Sequence, residues 1–390
     1  MSTRLRVLFV TVVGSAASAV VVWAFLVALD AATELRLDQP GLVWLLPVAG
    51  FMVAGTYHSW GGRAKGGTPA VVEQAGVFTH GAPARMTPLV FGGAVVGHAV
   101  GASVGREGGA LQITGSITDT IARHSGLGAR QRRTLLAASL AAGWGAAYGV
   151  PVTGVVFGLQ LVRTHRWRTL PLAVIAALVG NGVVAALGSP IAERPTVAPV
   201  DWSGTTVVAL VVCGIVCGLL ARLFVGGLHR VRAVVAHRVP SPPLRGVVGG
   251  LLTLVGIALV GRDYLGLSLP LLDTAFGGAD TAISTPLLKL LFTVVALGTG
   301  FVGGEVAPLF VIGGTAGAAI ATWLGVAGAE RIVMATTGSA VTFAAAASAG
   351  LTGVVLSVEQ FGRHALGPAL IVAAVARIVA GRPDLYRSHH

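Results

Sequence analysis

The sequence predicts an all-α polytopic membrane protein, and three observations carry that expectation. Hydrophobic residues make up 54% of the 390 positions and charged residues only 11%, against about 25% charged in a soluble chain. Residues 134–162, 202–221, 290–304, 306–329 and 332–358 contain no Asp, Glu, Lys or Arg. A helix crosses the hydrocarbon layer with about 20 mostly apolar residues, so several of these runs can cross it or turn back inside the protein. The basic residues sit between the runs, at 123–133, 163–168, 230–245 and 377–387. Loops rich in Lys and Arg stay in the cytoplasm, so these segments are expected on that side of a multi-pass protein of the cell membrane.

Each alternative reading of this composition fails on a specific count. A soluble protein with an oversized core lacks the polar sequence to cover that core. The net charge of +12 invites a nucleic-acid reading, but the basic residues are spread over loops between apolar runs, so no nucleic-acid partner is expected. The first apolar run, residues 7–29, is longer than the apolar core of a signal peptide and more membrane segments follow it, which reads as a retained first helix. Cys213 and Cys217 fall inside one apolar run and read as small core residues, not as a disulfide or a metal pair. No cofactor and no metal ion are expected.

Glycine marks the next layer of organisation. The chain has 56 glycines, which allow close helix contact in lipid. They cluster around charges embedded in apolar sequence, in VGREGGALQ at 104–112 and FVGGEVAPLF at 301–310. A charge in such a place is expensive and defaults to a functional role.

The chain also resembles itself. TGVV occurs at 153–156 and again at 352–355, and Glu107 and Glu305 stand at nearly the same offset, in the same order. Each acidic motif is followed by an Ala/Gly-rich run. Two homologous halves, 1–195 and 196–390, are expected. Transporter repeats of this kind place the ion site at their interface, lined by broken helices. Irregular backbone is tolerated there because it lines an enclosed cavity, not lipid. A helix that starts inside the membrane offers unpaired N–H groups and the positive end of its dipole to an anion. Glu107, at such a start, can occupy the anion position itself and leave it when protonated. That would make it both gate and proton carrier.

These motifs resemble those of the CLC family of chloride channels and anion/proton antiporters. GREGGALQ at 105–112 is similar to the family's GREGP-x-x-Q, with FGG at 91–93 before it. AAGWGAAYGVPVTGVVF at 141–157, GGEVAP at 303–308 and GRPDLY at 381–386 resemble further family segments in the right order. The resemblance implies a CLC-type inverted repeat with broken and re-entrant helices, and a homodimer with one pore per subunit. It implies that Glu107 is the gating glutamate and that Tyr386 brings a hydroxyl to the central anion site. Gly66, Gly67 and Thr68 fall in its first anion loop, Arg106 and Gly108 at the first helix start, and Val306 and Ala307 at the second. No regulatory CBS domain is expected, because the chain ends at His390.

Four departures from the family pattern narrow the reading. The first anion loop reads KGGTP at 65–69, with Gly66 where a coordinating serine is usual and Thr68 as the nearby hydroxyl. Gly109 replaces a proline. Gln160 and Leu161 stand where chloride/proton exchangers often carry glutamates, and Leu161 cannot relay a proton. Glu305 and Val306 replace an apolar pair. The fluoride/proton antiporters of the family look similar at this last point, with GGEV, and also in VEQFGRHALGP at 358–368; the methionine usual in their first anion loop is absent here. The expected function is therefore exchange of a halide, fluoride or chloride, against protons, with Glu305 carrying the internal proton or helping to position a donor. A passive chloride channel is the alternative. An enzyme is not expected: no H-E-x-x-H pair exists, and the one G-x-S-x-G match, GASVG around Ser103, runs into the GREGG motif in apolar, helix-like sequence. His98, in the apolar run before that motif, reads as a packed or pore-lining histidine. The expected partners are the halide, protons, the lipid membrane and a second copy of the chain.

Overall fold

The computed structural model describes residues 2–161, 166–191, 194–383 and 385–386. Among them are sixteen α-helices and no strand. The first half holds α1 (Thr3–Asp38), α2 (Leu46–Trp60), α3 (Gly67–Gly76), α4 (Met86–Val100), α5 (Glu107–His124), α6 (Ala129–Tyr148), α7 (Pro151–Leu161) and α8 (Arg166–Ala186). The second holds α9 (Gly204–Arg238), α10 (Pro242–Val260), α11 (Leu269–Phe276), α12 (Ser284–Thr299), α13 (Val306–Trp323), α14 (Gly328–Ala346), α15 (Gly350–Phe361) and α16 (Leu366–Ala380).

The long first helix of each half begins with a serine cap. Ser2 Oγ accepts the Leu5 N–H and Ser203 Oγ accepts the Thr206 N–H, each satisfying one of the donors left free at a helix start. Among the described residues, seven segments are long and apolar enough to cross a membrane, α1, α9, α10 and α13 being four of them. They do not play one role. In α10 only 22% of the apolar window is buried, whereas in α13 it is 89%. The first therefore faces lipid, and the second is an apolar helix enclosed by other helices.

Several helices are too short to cross, and the breaks have a local cause. The chain leaves α4 through Gly101 at φ 91° and leaves α12 through Gly300 at φ 112°. This region of φ is closed to most side chains, so both helices stop there. Gly101 and Gly300 are separated by the same offset as the two TGVV blocks. After each break a short non-helical link leads into a buried helix, α5 or α13. The apolar stretch around Ser103 is thus not continuous helix, as its composition suggested, but the link between two helices.

Small residues allow close helix contacts. Gly50 on α2 faces Gly246 on α10 so closely that a Cβ on Gly50 would lie 2.2 Å from the Gly246 carbonyl oxygen. Such backbone approach is the usual device for holding helices together where burial supplies little drive. On α1, Phe25 fills the space over Gly109, where a Cβ would lie 2.7 Å from the ring. This explains why glycine stands where the family pattern has proline.

The short helices α7 and α15 cap each other. Glu359 on α15 accepts the Val152 N–H at 2.9 Å, the Thr153 N–H at 2.6 Å and the Thr153 hydroxyl at 2.6 Å. Gln160 on α7 accepts the Thr352 N–H at 2.8 Å and the Thr352 hydroxyl at 2.5 Å. The two threonines are the first residues of the two TGVV blocks. Gln160, at a position where a glutamate was sought, serves here as a helix cap.

Candidate functional site

The site is built where α5 and α13 begin. Gly105 and Gly304 pair as a two-residue antiparallel bridge: each donates its N–H to the other's carbonyl at 2.7 Å. Only glycine permits this approach. A Cβ on Gly105 would lie 2.7 Å from Pro308 Cδ, and one on Gly304 would lie 2.5 Å from the Gly108 nitrogen. The bridge brings two helix starts together inside the protein. Each start presents unpaired N–H groups and a positive dipole end.

Glu107 uses that arrangement across the bridge. Its side chain is buried, and its Oε2 accepts the Ala307 N–H at 3.0 Å and the Arg106 N–H at 3.3 Å. Its Oε1 accepts from Arg106 Nε at 3.3 Å. The carboxylate that begins α5 thus rests on the start of α13, in the position a free anion would take. Arg106 is shared between Glu107 and Asp30, whose Oδ1 lies 3.7 Å from Nη1. Its guanidinium is therefore committed to carboxylates, and its backbone N–H is the group it offers to the site.

Glu305 immediately precedes α13 and is also buried, and its Oε2 has no hydrogen-bond partner among the described residues. It lines a cavity of about 510 Å³ together with Lys65, Gly66, Gly67, Thr68 and Arg232. The 65–69 loop and Glu305 therefore line the same space. Gly108 lies at the junction, since a Cβ there would come within 3.0 Å of both Glu305 Oε2 and Thr68 Oγ1.

Thr68 departs from the role expected of it. Its hydroxyl donates to the Gly108 carbonyl at 3.1 Å and accepts from Gln112 Nε2 at 3.3 Å. The hydroxyl ties the anion loop to α5, which leaves its proton unavailable to an anion in this arrangement. Val306 and Ala307 occupy the buried first turn of α13. Tyr386 is buried with its hydroxyl unpartnered among the described residues. Its ring stands edge-on to Phe157 at 6.0 Å, and the Leu385 N–H anchors the segment on the Ala346 carbonyl at 3.2 Å.

Trp144 packs on Phe157 and Phe343, with centroids 5.3 and 5.4 Å away, and Tyr148 packs on Phe310 at 5.1 Å. Tyr148 also stands beside Glu107. An aromatic cluster thus extends from Glu107 toward Tyr386.

Other singled-out residues take structural places. His98 is fully buried with Nδ1 2.8 Å from the Ala94 carbonyl. Ser103 does not sit on a strand-to-helix elbow; its hydroxyl lies 3.0 Å from Thr293 Oγ1 and 2.9 Å from Lys289 Nζ. Sequence reasoning missed Lys289, which borders an uncharged run, and missed Glu359 as the acid between α7 and α15. Of the basic segments expected in the cytoplasm, residues 163–165 and 387 lie outside the described residues.

Comparisons with known proteins bear on this geometry. The model of a family described as voltage gated chloride channel matches residues 49–381. A chloride/fluoride channel protein of Pseudomonas syringae pv. tomato is 37% identical over 376 residues, covering 93% of this chain and 82% of that protein. An H(+)/Cl(-) exchange transporter of Citrobacter koseri is 27% identical over 328 residues, covering 77% of this chain and 67% of that protein. A crystal structure of a CLC-type fluoride/proton antiporter superposes with a TM-score of 0.91 at 26% identity, covering 97% of this chain and 96% of that one.

Proposed function

This chain belongs to the voltage gated chloride channel, or CLC, family, and on that premise we propose that it is a halide/proton antiporter of the cell membrane that moves fluoride at least as well as chloride. The observation that carries the reading is the Glu107 carboxylate held by the Ala307 N–H across the Gly105–Gly304 bridge. An anionic side chain on an anion site is a gate that protonation can open.

The cycle follows from that contact. With Glu107 ionised, its carboxylate fills the start of α13 and blocks the path. A proton converts the carboxylate to a neutral acid, which loses its attraction for the helix start. A halide then takes the vacated N–H groups. When Glu107 releases its proton, the recovered charge displaces the halide. Each turnover links a proton on Glu107 to the passage of halide. Fluoride is compact and holds its water tightly, so it demands strong donors in exchange; the N–H groups at the two helix starts and the Tyr386 hydroxyl are the candidates. Glu305, facing the cavity, is the acid placed to pass protons between cavity water and the gate.

Fluoride is favoured over chloride by Glu305 in the GGEV motif and by the match to the fluoride/proton antiporter structure. A passive channel is the second reading. It is favoured by Gln160, whose carbonyl is spent as a cap on Thr352, and by Leu161 beside it. We further propose that the halves 1–195 and 196–390 are the two repeats. We propose a homodimer as well: Leu178 on α8, Leu351 on α15, and Leu370 and Ile378 on α16 are apolar side chains at least half exposed, a surface suited to a second copy. The decisive experiment is a paired flux assay in liposomes, fluoride against chloride, with internal pH followed in the same vesicles. Both halides should move protons with them. Chloride moving much faster than fluoride would overturn the fluoride assignment, and halide movement without protons would leave a channel.

A further inference from the structure

Lys289, on the second turn of α12, has no exposed surface. Its Nζ donates to the Gly266 carbonyl at 2.7 Å, Ser103 Oγ at 2.9 Å and Ser268 Oγ at 3.0 Å, with the Tyr264 carbonyl a longer fourth contact at 3.3 Å. Among the described residues it makes no ion pair; the ion pairs lie elsewhere. A lysine buried without a carboxylate partner is a costly group for a protein to hold. Inside a membrane protein it marks a functional position.

Its contacts indicate which position. The link from α4 to α5 is fastened at every second residue. Gly101 accepts the Gly266 N–H at 3.3 Å, Ser103 accepts from Lys289, and Gly105 pairs with Gly304. Ser103 Oγ also meets Thr293 Oγ1, one turn further along α12. Lys289 thus joins three pieces of chain: α12, the turn at 264–268, and the link that ends two residues before Glu107. An ammonium suits this task because it directs three protons from one point. Ser268 adopts φ 56°, unusual for a residue with a side chain, and its hydroxyl is one of the acceptors. The local backbone is bent around the lysine.

We propose that Lys289 is a positioning residue for the gate, holding the 101–105 link so that Glu107 reaches the start of α13. This rests on the antiporter reading. The role belongs to the clamp and not to any contact with the halide. Loosening the clamp should let halide pass while Glu107 is out of place, which lowers the number of protons moved per halide.

The test compares wild type, Lys289→Met and Ser103→Ala in liposomes, with halide and proton flux recorded together and the thermal unfolding of each purified protein measured. Lys289→Met keeps the shape of the side chain without its protons. We expect its proton-to-halide ratio to fall at least threefold, and that of Ser103→Ala to fall less, with Ser103→Ala unfolding near the wild-type temperature. A purely structural lysine would lower the unfolding temperature and the yield but leave the ratio of the surviving protein unchanged. A wild-type ratio in both variants overturns the proposal. If Lys289→Met does not fold, Ser103→Ala decides alone, and a wild-type ratio there overturns it. Wild-type vesicles that move halide without protons would instead overturn the antiporter reading, and this proposal with it.

Discussion

The Glu107 carboxylate of α5 accepts the Ala307 N–H of α13 at 3.0 Å. The start of α5 is therefore tied to the start of α13. Removing the charge at Glu107 removes what the helix start holds. Glu107→Gln and Glu107→Ala should keep halide flux and lose halide-driven proton movement, since neither side chain takes up or releases a proton. Proton pumping driven by a halide gradient in liposomes measures this, and wild-type coupling in either variant would contradict the gate assignment.

Glu305 has one carboxylate oxygen without a hydrogen-bond partner among the described residues, and the residue lines a cavity together with Lys65 and Arg232. A carboxylate that only braced the start of α13 would be saturated with backbone donors. Glu305→Gln should therefore fold, elute as wild type does and carry fluoride with at least a tenfold slower proton flux. A variant that lost yield and thermal stability but kept its proton-to-halide ratio would mark Glu305 as structural.

How much of this was legible in the sequence varies by residue. The placement of Glu107 and Glu305 at two helix starts was, because each is an acid among glycines in apolar sequence and the two stand at nearly the offset of the TGVV blocks. The break at Gly101 was not, because a left-handed glycine at a helix end looks like any other glycine in an apolar run. Thr68 was expected near an anion, and its hydroxyl instead spans to Gly108. That bond joins residues 40 positions apart, a relationship no local pattern encodes. Lys289 escaped for the same reason. Its acceptors come from 103 and from 264–268, and only the folded chain brings them together.

Gly109 should be intolerant of the family's usual proline while Phe25 is present. A Cβ there would meet the Phe25 ring at 2.7 Å, and overpacking of this kind costs about 1–3 kcal/mol. Gly109→Pro alone should lower the unfolding temperature, and Gly109→Pro with Phe25→Ala should recover part of the loss relative to Phe25→Ala alone. Additive losses in that double-mutant cycle would show that the two sites do not press on each other.

The reciprocal caps of α7 and α15 allow the contribution of a charged cap and a neutral one to be compared in one protein. Glu359 satisfies two N–H groups and a hydroxyl, and Gln160 satisfies one of each. Both join α7 to α15, so loss of either cap should loosen the fold without touching Glu107. Replacing a capping side chain by alanine costs about 0.5–2 kcal/mol, and hydrogen bonds to a charged group are worth about 1.5–3 kcal/mol against about 0.5–1.5 for neutral ones. Glu359→Ala should therefore destabilise the purified protein more than Gln160→Ala, with Glu359→Gln between wild type and Glu359→Ala. The proton-to-halide ratio should be unchanged in all three, because neither side chain reaches the gate. Thermal unfolding ranks the stabilities and paired liposome flux reads the ratio. If Glu359→Gln abolished proton movement in a protein of normal stability, Glu359 would be a proton carrier and not a cap.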